Sequence, residues 1–290
     1  MRAARGRSDP SSATSADAAP ELGLRASSLV APYDAECRRS GAVALGDETC
    51  LLVVTSISGA SPRLPAFTAS LGALCAAHAW VRASLNFFSG QVPPSLPTCV
   101  ASTSSLPGFK SLHWKHALAP RAVRSNTHIF LVDADMEVAP RHFELAAFVR
   151  LASATNVSVL GPVASGSGNA LHRLNNECGD ESPLHARCRG SPKCAKLCAA
   201  DPARLCAVCR QPVVEVKAPM FTRAAWAVVH RLVSGAPDDA LVTDVGLDLT
   251  WCDLLNHKIH GCDPRGATAT KGCLAQVGQA CAVSYATPML

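Results

Sequence analysis

Two carboxylates follow an apolar run near the middle of the chain. Residues 129–132 read Ile-Phe-Leu-Val, the composition of a strand buried on both faces, and Asp133 and Asp135 come directly after it. In an extended chain, alternate side chains point the same way and lie roughly 6–7 Å apart. Such a pair can share one divalent cation, and ligands usually bind at the carboxyl ends of strands in an α/β sheet. The spacing therefore predicts a metal site, while the alternative is that these acids favour the start of a helix near Pro140.

The elements around this pair alternate between strand and helix. Apolar runs predict strands at 50–57, 85–88, 129–132, 157–160 and 213–216, and helical periodicity predicts helices at 66–84, 113–123, 140–152, 222–234 and 246–258. Prolines favour a loop over 90–107. The alternation predicts an α/β fold with a mostly parallel sheet flanked by helices. Residues 1–45, rich in Ser, Ala, Pro and Arg, are typical of a flexible leader or stalk, and 46–290 form the predicted domain.

Composition narrows the classes of partner and compartment. The net charge of +5 arises from residues 171–231, where 10 Lys/Arg face 5 Asp/Glu, so a local anionic partner is favoured over a nucleic acid. Fourteen cysteines favour disulfides and an oxidising compartment. The sequence has no apolar stretch of ~18 residues that would predict a membrane span. Residues 1–32 also lack the apolar core of a signal peptide. We therefore expect a secretory-pathway protein, in the Golgi lumen, whose membrane tether is missing from this chain.

A family resemblance rests on three segments in order. These are Phe130-Leu-Val-Asp-Ala-Asp-Met136, Val214-Glu-Val-Lys-Ala-Pro-Met-Phe-Thr-Arg-Ala-Ala-Trp226 and Gly246-Leu-Asp248. Over residues 48–260 the chain resembles the plant family known as domain of unknown function 707, which is itself similar to nucleotide-sugar glycosyltransferases of the GT-A fold. The resemblance implies a GT-A-like α/β domain carrying a Cys-rich insertion at 175–211. It also implies a metal-dependent glycosyltransferase.

The resemblance also implies a set of site residues. Asp133 and Asp135 would hold Mn²⁺ or Mg²⁺, with Asp133 also facing the nucleotide-sugar donor. Trp114 and Lys115 match a donor-side stretch, and Lys115 could pair with a phosphate rather than being a solvated helix residue. Asp248 would take the proton of a glycan or other hydroxyl acceptor, with Asp244 as its competitor and a helix-start acid as the alternative.

Several positions leave alternatives open. The middle Glu of the family's acidic triplet is Ala134 here, and the Trp before Gly-Leu-Asp is Val245. Residues 281–290 carry neither the late Asp nor the late His of the family, which puts a third metal ligand in question. Glu215 and Arg223 are interpreted as a buried ion pair that fixes the Ala-Pro turn, with substrate contact as the alternative. Trp226 is predicted to lie in the core.

The cysteines at 178–209 allow two interpretations. Six cysteines permit 15 disulfide pairings, which we favour, while Cys194, Cys198, Cys206 and Cys209 could instead form a zinc site.

Two other functions compete with sugar transfer. An Asp-x-Asp at a strand end also occurs in phosphohydrolases of the haloacid dehalogenase type, where the first Asp is the nucleophile. Against this, the residue two after the second Asp is Glu137, where that family has Thr or Val, and ~80 residues of predicted fold precede the motif. A non-catalytic, lectin-like glycan-binding protein is the third hypothesis.

Overall fold

The fold is taken from a computed structural model that describes residues 49–164, 208–210, 214–241, 246–260 and 280–289. The strands are β1 (Leu51–Ser58), β2 (Val81–Ser89), β3 (Val100–Ser104), β4 (His128–Leu131), β5 (Val159–Ala164), β6 (Val208–Arg210), β7 (Met220–Thr222) and β8 (Cys281–Met289). The helices are α1 (Leu64–Ala77), α2 (Lys110–Ala117), α3 (Leu145–Thr155), α4 (Arg223–Gly235) and α5 (Leu247–His260), with a short 3₁₀ turn at Asp238–Ala240.

The eight strands form one sheet in the order β3-β2-β1-β4-β7-β5-β8-β6. Strands β3, β2, β1 and β4 are mutually parallel, and β5 and β8 share their direction. Only β7 and β6 run the opposite way among the described strands, because β7 is antiparallel to both β4 and β5 and β6 is antiparallel to β8. The mostly parallel α/β sheet predicted from the sequence is confirmed.

Alternating residues of the central strands build two separate cores. On one face, Phe130 and Val132 pack with buried residues of α1, with Phe148 of α3 and with Phe143, which precedes α3. On the other, Ile129 and Leu131 pack with α2, α4 and α5 through the side chains Trp114, Trp226 and Trp251. The sheet is therefore covered by helices on both faces, which explains why its strands read as continuous apolar runs rather than as alternating ones.

Helix ends follow local side-chain chemistry. The Thr222 hydroxyl accepts a hydrogen bond from the Ala225 N–H at 3.2 Å and caps α4. Helix α3 ends at Asn156, whose φ of 49° is the left-handed conformation that Asn tolerates well. Predicted helices at 222–234 and 246–258 are confirmed to within two residues at each end.

Other element predictions are wrong in instructive ways. The helix predicted over 66–84 ends at Ala77, and the chain then enters β2. The prediction extended the helix too far because the sequence of a strand buried on both faces has no period that separates it from a buried helix. The loop predicted at 90–107 contains the short edge strand β3. The helix expected from Pro140 begins only at Leu145, and the helix expected over 113–123 spans Lys110–Ala117. Residues 214–216 are not a strand, and β7 and β8 were not predicted.

Two disulfides that have both cysteines among the described residues join helices to strands or strand entries. Cys75, near the end of α1, is bonded to Cys99, just before β3, and Cys252 in α5 is bonded to Cys281 at the start of β8. The prediction of disulfides is confirmed at these positions. The leader at 1–45 and, apart from residues 208–210, the Cys-rich insertion at 175–211 lie outside the described residues. Within the described parts of the chain, no helix is long and apolar enough to cross a membrane.

Candidate functional site

The acidic motif lies at the carboxyl end of β4, in the middle of the sheet. The strand stops at Leu131, and Asp133 and Asp135 belong to a turn that closes with a 3.0 Å hydrogen bond from the Met136 N–H to the Asp133 carbonyl. An extended chain was predicted through both acids, and this prediction is wrong. Their side chains consequently do not share a direction by strand alternation, and each has its own basic partner.

Asp133 is paired with Lys110, the first residue of α2. The ammonium Nζ lies 2.5 Å from Asp133 Oδ1 and 3.5 Å from the Val216 carbonyl oxygen. It also lies 5.8 Å from the centre of the Trp114 ring. The side chains are 15% and 27% exposed, so the ion pair is partly desolvated while one side of the carboxylate remains accessible. Charge-assisted hydrogen bonds of this kind are stronger than those between neutral groups.

Asp135 has a weaker and more exposed partner. Its Oδ2 lies 3.6 Å from an Arg63 guanidinium nitrogen, and the two side chains are 40% and 66% exposed. Arg63 precedes α1, which packs on the face of the sheet opposite to α2. Exposed pairs of this sort contribute little to stability, so Asp135 is available to a ligand at small cost.

A third segment reaches the same edge because β7 runs antiparallel to β4. The residues that precede β7 therefore lie beside the end of β4, where Asp133 N–H donates to the Lys217 carbonyl at 2.8 Å and Leu131 N–H donates to the Pro219 carbonyl at 3.0 Å. These backbone bonds fix the position of Glu215, which is 9% exposed. The segment 214–219 thus places one more carboxyl group at the strand end.

Glu215, Asp248 and Asp133 influence one another electrostatically. Burial raises the pKa of Glu215 to about 7; Lys217 opposes this shift, the carboxylates of Asp248 and Asp133 add to it, and Lys110 opposes it. Asp248 is 3% exposed and lies in the first turn of α5. A carboxyl group whose pKa lies near neutrality, beside others that carry charge, is suited to taking up and releasing a proton.

A small pocket opens next to Glu215. Its lining includes Met136, Pro162, Glu215 and Lys217. Gly161 faces Val214 there so closely that an added Cβ would come within 2.6 Å of a Val214 methyl carbon. A glycine at this point lets β5 approach the segment that carries Glu215.

The sequence match to a protein family covers the whole of this region. The family described as "Protein of unknown function (DUF707)" matches residues 108–260, more than half of the 290-residue chain. The chain belongs to the DUF707 family. No curated protein matches it. The DUF707 match begins two residues before Lys110 and includes Asp133, Asp135, Glu215 and Asp248.

In the DUF707 region, the two other predicted donor residues, Trp114 and Lys115, have partners within the fold. Trp114 is buried at 2% exposure and meets the Trp226 ring edge-on at 6.4 Å. Lys115 Nζ donates to the Ala236 carbonyl and to Asp238, at 2.6 Å each. Both have packing partners in the structure, and their role in donor binding stays a prediction. Trp226 is fully buried, as predicted.

The predicted Glu215–Arg223 pair is wrong. Arg223 is exposed, its guanidinium donates to the Arg124 carbonyl, and its backbone N–H donates to the Thr127 carbonyl at the start of β4. Glu215 is held at the opposite end of that strand, beside Asp133. The four residues of β4, about 13 Å at roughly 3.3 Å per residue, lie between the two ends of the strand at which Arg223 and Glu215 are held.

The carboxylates of Asp133 and Asp135 match the ligand chemistry of Mn²⁺ and Mg²⁺. Both offer oxygen atoms, and both reach solvent. Among the described residues, no group of three His, Cys, Asp or Glu side chains is placed to hold an ion. Their oxygen atoms are suitable ligands for such a cation, and this metal role stays a prediction. Asp244, Val245 and the candidate zinc cysteines, Cys194, Cys198, Cys206 and Cys209, lie outside the described side chains.

Lys110 and Lys217 were not identified from the sequence. The available signal was the four-residue spacing between Lys110 and Trp114, which places both on one side of a helix. For Lys217 the signal was its position two residues after Glu215, in the most specific segment of the family resemblance.

Proposed function

We propose that this DUF707 protein is a glycosyltransferase that moves a sugar from a nucleotide-sugar donor to a glycan or another hydroxyl acceptor. One observation carries the proposal. Glu215 lies within electrostatic range of two other carboxyl groups, those of Asp133 and Asp248. Two ammonium groups, those of Lys217 and Lys110, also act on it, and Lys110 is bonded to Asp133 beside the carboxyl end of β4. A site with both charges can bind an anionic leaving group and accept a proton within one small region.

A GT-A-like fold is part of the same proposal. Six of the eight described strands share one direction, helices cover both faces, and the acidic motif ends a central strand. Ligands bind at that edge in open α/β sheets generally. The resemblance of the acidic, Ala-Pro and Gly-Leu-Asp segments to the family gives this general rule a specific substrate class.

The proposed cofactor is Mn²⁺ or Mg²⁺, held by Asp133 and Asp135. When bound, such a cation neutralises charge on a diphosphate leaving group. The chain itself fixes Asp133 through the backbone bond to Lys217 and the ion pair with Lys110. Asp135 contributes an exposed carboxylate that no strong internal partner holds in place.

Proton transfer is assigned to a buried carboxylate. In the reaction, the acceptor oxygen forms a bond to the anomeric carbon, the bond from that carbon to the diphosphate breaks, and the acceptor proton passes to the enzyme. Asp248 is the group proposed to take this proton, and Glu215 lies within electrostatic range of it. Burial raises the pKa of Glu215 to about 7, so this neighbour of Asp248 gains its negative charge near neutral pH.

The proposed partners are the donor and the acceptor, with no nucleic acid. The proposed location is the secretory pathway, in the Golgi lumen. The two disulfides of the described residues support an oxidising compartment, because cytosolic thiols are kept reduced.

The deciding experiment measures nucleotide release from a panel of nucleotide sugars with acceptor mixtures, with Mn²⁺, with Mg²⁺ and with chelator. We expect metal-dependent release from one donor class in the wild type and a loss of at least tenfold in Asp135→Ala. Equal release from both proteins across the panel would falsify the proposal.

Two further experiments, beryllofluoride trapping and glycan binding, would favour the competing functions. Trapping of an aspartyl-phosphate analogue by beryllofluoride would indicate a phosphohydrolase with Asp133 as the nucleophile. Glycan binding without turnover would indicate a lectin-like protein.

A further inference from the structure

Lys110 is placed where it must respond to anything that binds Asp133. Its ammonium lies 2.5 Å from one carboxylate oxygen, and both side chains are largely withdrawn from solvent. The Lys110 ammonium neutralises the negative charge of the Asp133 carboxylate. This is a different situation from that of Asp135, whose partner Arg63 is mostly in solvent.

A divalent cation and the Lys110 ammonium compete for the same carboxylate. Like charges repel, and the repulsion grows as solvent is excluded. A cation that ligates Asp133 therefore weakens the bond from Lys110. Its other neighbours are the neutral Val216 carbonyl at 3.5 Å, the Trp114 ring at 5.8 Å and, within electrostatic range, the Glu215 carboxyl group. Because burial raises the pKa of Glu215 to about 7, that group does not replace Asp133 as a fully charged partner at neutral pH.

We propose that Lys110 is a positioning residue that exchanges Asp133 for a diphosphate anion when a divalent cation enters the site. This inference rests on the proposed function for the class of anion. The ammonium stands at the end of a flexible four-carbon stem, so a change of partner needs no movement of the backbone of α2. Cation and anion binding are thereby coupled, because the first makes available the group that receives the second.

A positive charge outside the site provides a control for this exchange. Arg231 lies on α4, and its guanidinium Nε donates to the Ala227 carbonyl at 3.3 Å. Removing its charge tests whether any cation of the fold affects ion binding through general electrostatics. Lys110→Arg retains a cation at the site and tests whether the charge itself is what matters.

The test is calorimetric titration of the full chain with MnCl₂ alone, then with inorganic pyrophosphate in saturating Mn²⁺. For Lys110→Met we expect Mn²⁺ to bind at least tenfold more tightly and pyrophosphate at least tenfold more weakly than in the wild type. Arg231→Met should remain within twofold of the wild type in both titrations, and Lys110→Arg within about threefold. A thermal melt of each variant confirms folding, and Lys110→Gln replaces Lys110→Met if the latter does not fold.

Equal Mn²⁺ affinities in the wild type and Lys110→Met would overturn the exchange, as would the absence of Mn²⁺ binding in every variant. The proposed function is judged separately, by nucleotide release. If turnover fails while Lys110→Met still binds Mn²⁺ more tightly, the exchange stands and the transferase does not. If turnover is metal-dependent while the Mn²⁺ affinities are equal, the transferase stands and the exchange does not.

Discussion

The Trp251 indole N–H donates a hydrogen bond to the Val214 carbonyl at 3.1 Å. Trp251 belongs to α5, the helix that carries Asp248, and Val214 precedes Glu215. This single bond therefore joins the two chain segments that supply carboxyl groups to the site from outside β4.

Trp251→Phe is predicted to loosen the site more than it loosens the fold. One aromatic ring is retained, but the five-membered ring of the indole is lost with its N–H, so the cost combines a buried hydrogen bond with a small cavity, roughly 2–4 kcal/mol of unfolding free energy. We expect nucleotide release to fall at least fivefold. Denaturant unfolding of the same samples measures the loss of stability. Trp226→Phe is the matched control, because its indole N–H donates to the Leu118 carbonyl at 2.8 Å. If the two variants lost equal stability and equal activity, the bond to Val214 would have no special role.

Glu215 gives the stability of the protein a specific dependence on pH. Its pKa is raised from 4.5 to about 7 in the fold, so the folded state favours the protonated form. The stability it contributes is complete below about pH 4.5 and is lost as the pH rises through about 7, a change of roughly 2–3 kcal/mol. Chemical unfolding of the wild type and Glu215→Gln at pH 5, 6, 7 and 8 measures it. The variant should lack this component of the slope; identical pH profiles would contradict the buried, charge-surrounded position.

Asp135→Asn should separate function from folding. Because the Arg63–Asp135 pair is exposed, its loss should change the unfolding free energy by no more than about 0.5 kcal/mol. Nucleotide release should nevertheless fall at least tenfold if this carboxylate is a metal ligand. The comparison variant is Arg63→Gln, which breaks the same ion pair and keeps the carboxylate. Similar losses of activity in both variants would show that the pair, and not the acid, matters.

Loss of the Cys252–Cys281 disulfide is predicted to weaken the end of the sheet and the α5 helix together. It closes a separation of 29 residues, for which chain entropy gives about 3–4 kcal/mol. A Cys252→Ala, Cys281→Ala double variant should show that loss in urea unfolding. The Cys75–Cys99 bond closes a similar separation of 24 residues on the other face of the sheet and serves as a comparison. Only removal of the first should also lower nucleotide release, since α5 carries Asp248.

The acidic strand end and the two later helices α4 and α5 were predicted from the sequence because their apolar patterns are local and strong. The strand β4 is an uninterrupted apolar run, and α4 shows a clear buried stripe ending at Val233. Strand β2 was misjudged since its buried residues continue the apolar composition of α1. Strands β3 and β7 have only five and three residues, too few for a period to be recognised.

The site was predicted less completely because its members meet through tertiary structure. Asp133, Asp135 and Asp248 were identified from the chain, but the lysine singled out on α2 was Lys115, as a partner for a phosphate, and not Lys110. Lys110 and Lys115 are five positions apart, which in a helix means about 7.5 Å along the axis and 140° around it. Only the packing of α2 on the sheet decides which of the two faces Asp133, and the sequence contains no local record of that rotation.

The reversed direction of β7 has a consequence for how the chain length can vary. Glu215 lies before this strand and α4 begins directly after it, so the strand's three residues set the separation between the site and the helix. An insertion or deletion of one residue within it would turn Phe221, now fully buried, to the other face of the sheet. Homologous chains should therefore keep the interval from Glu215 to Trp226 at constant length.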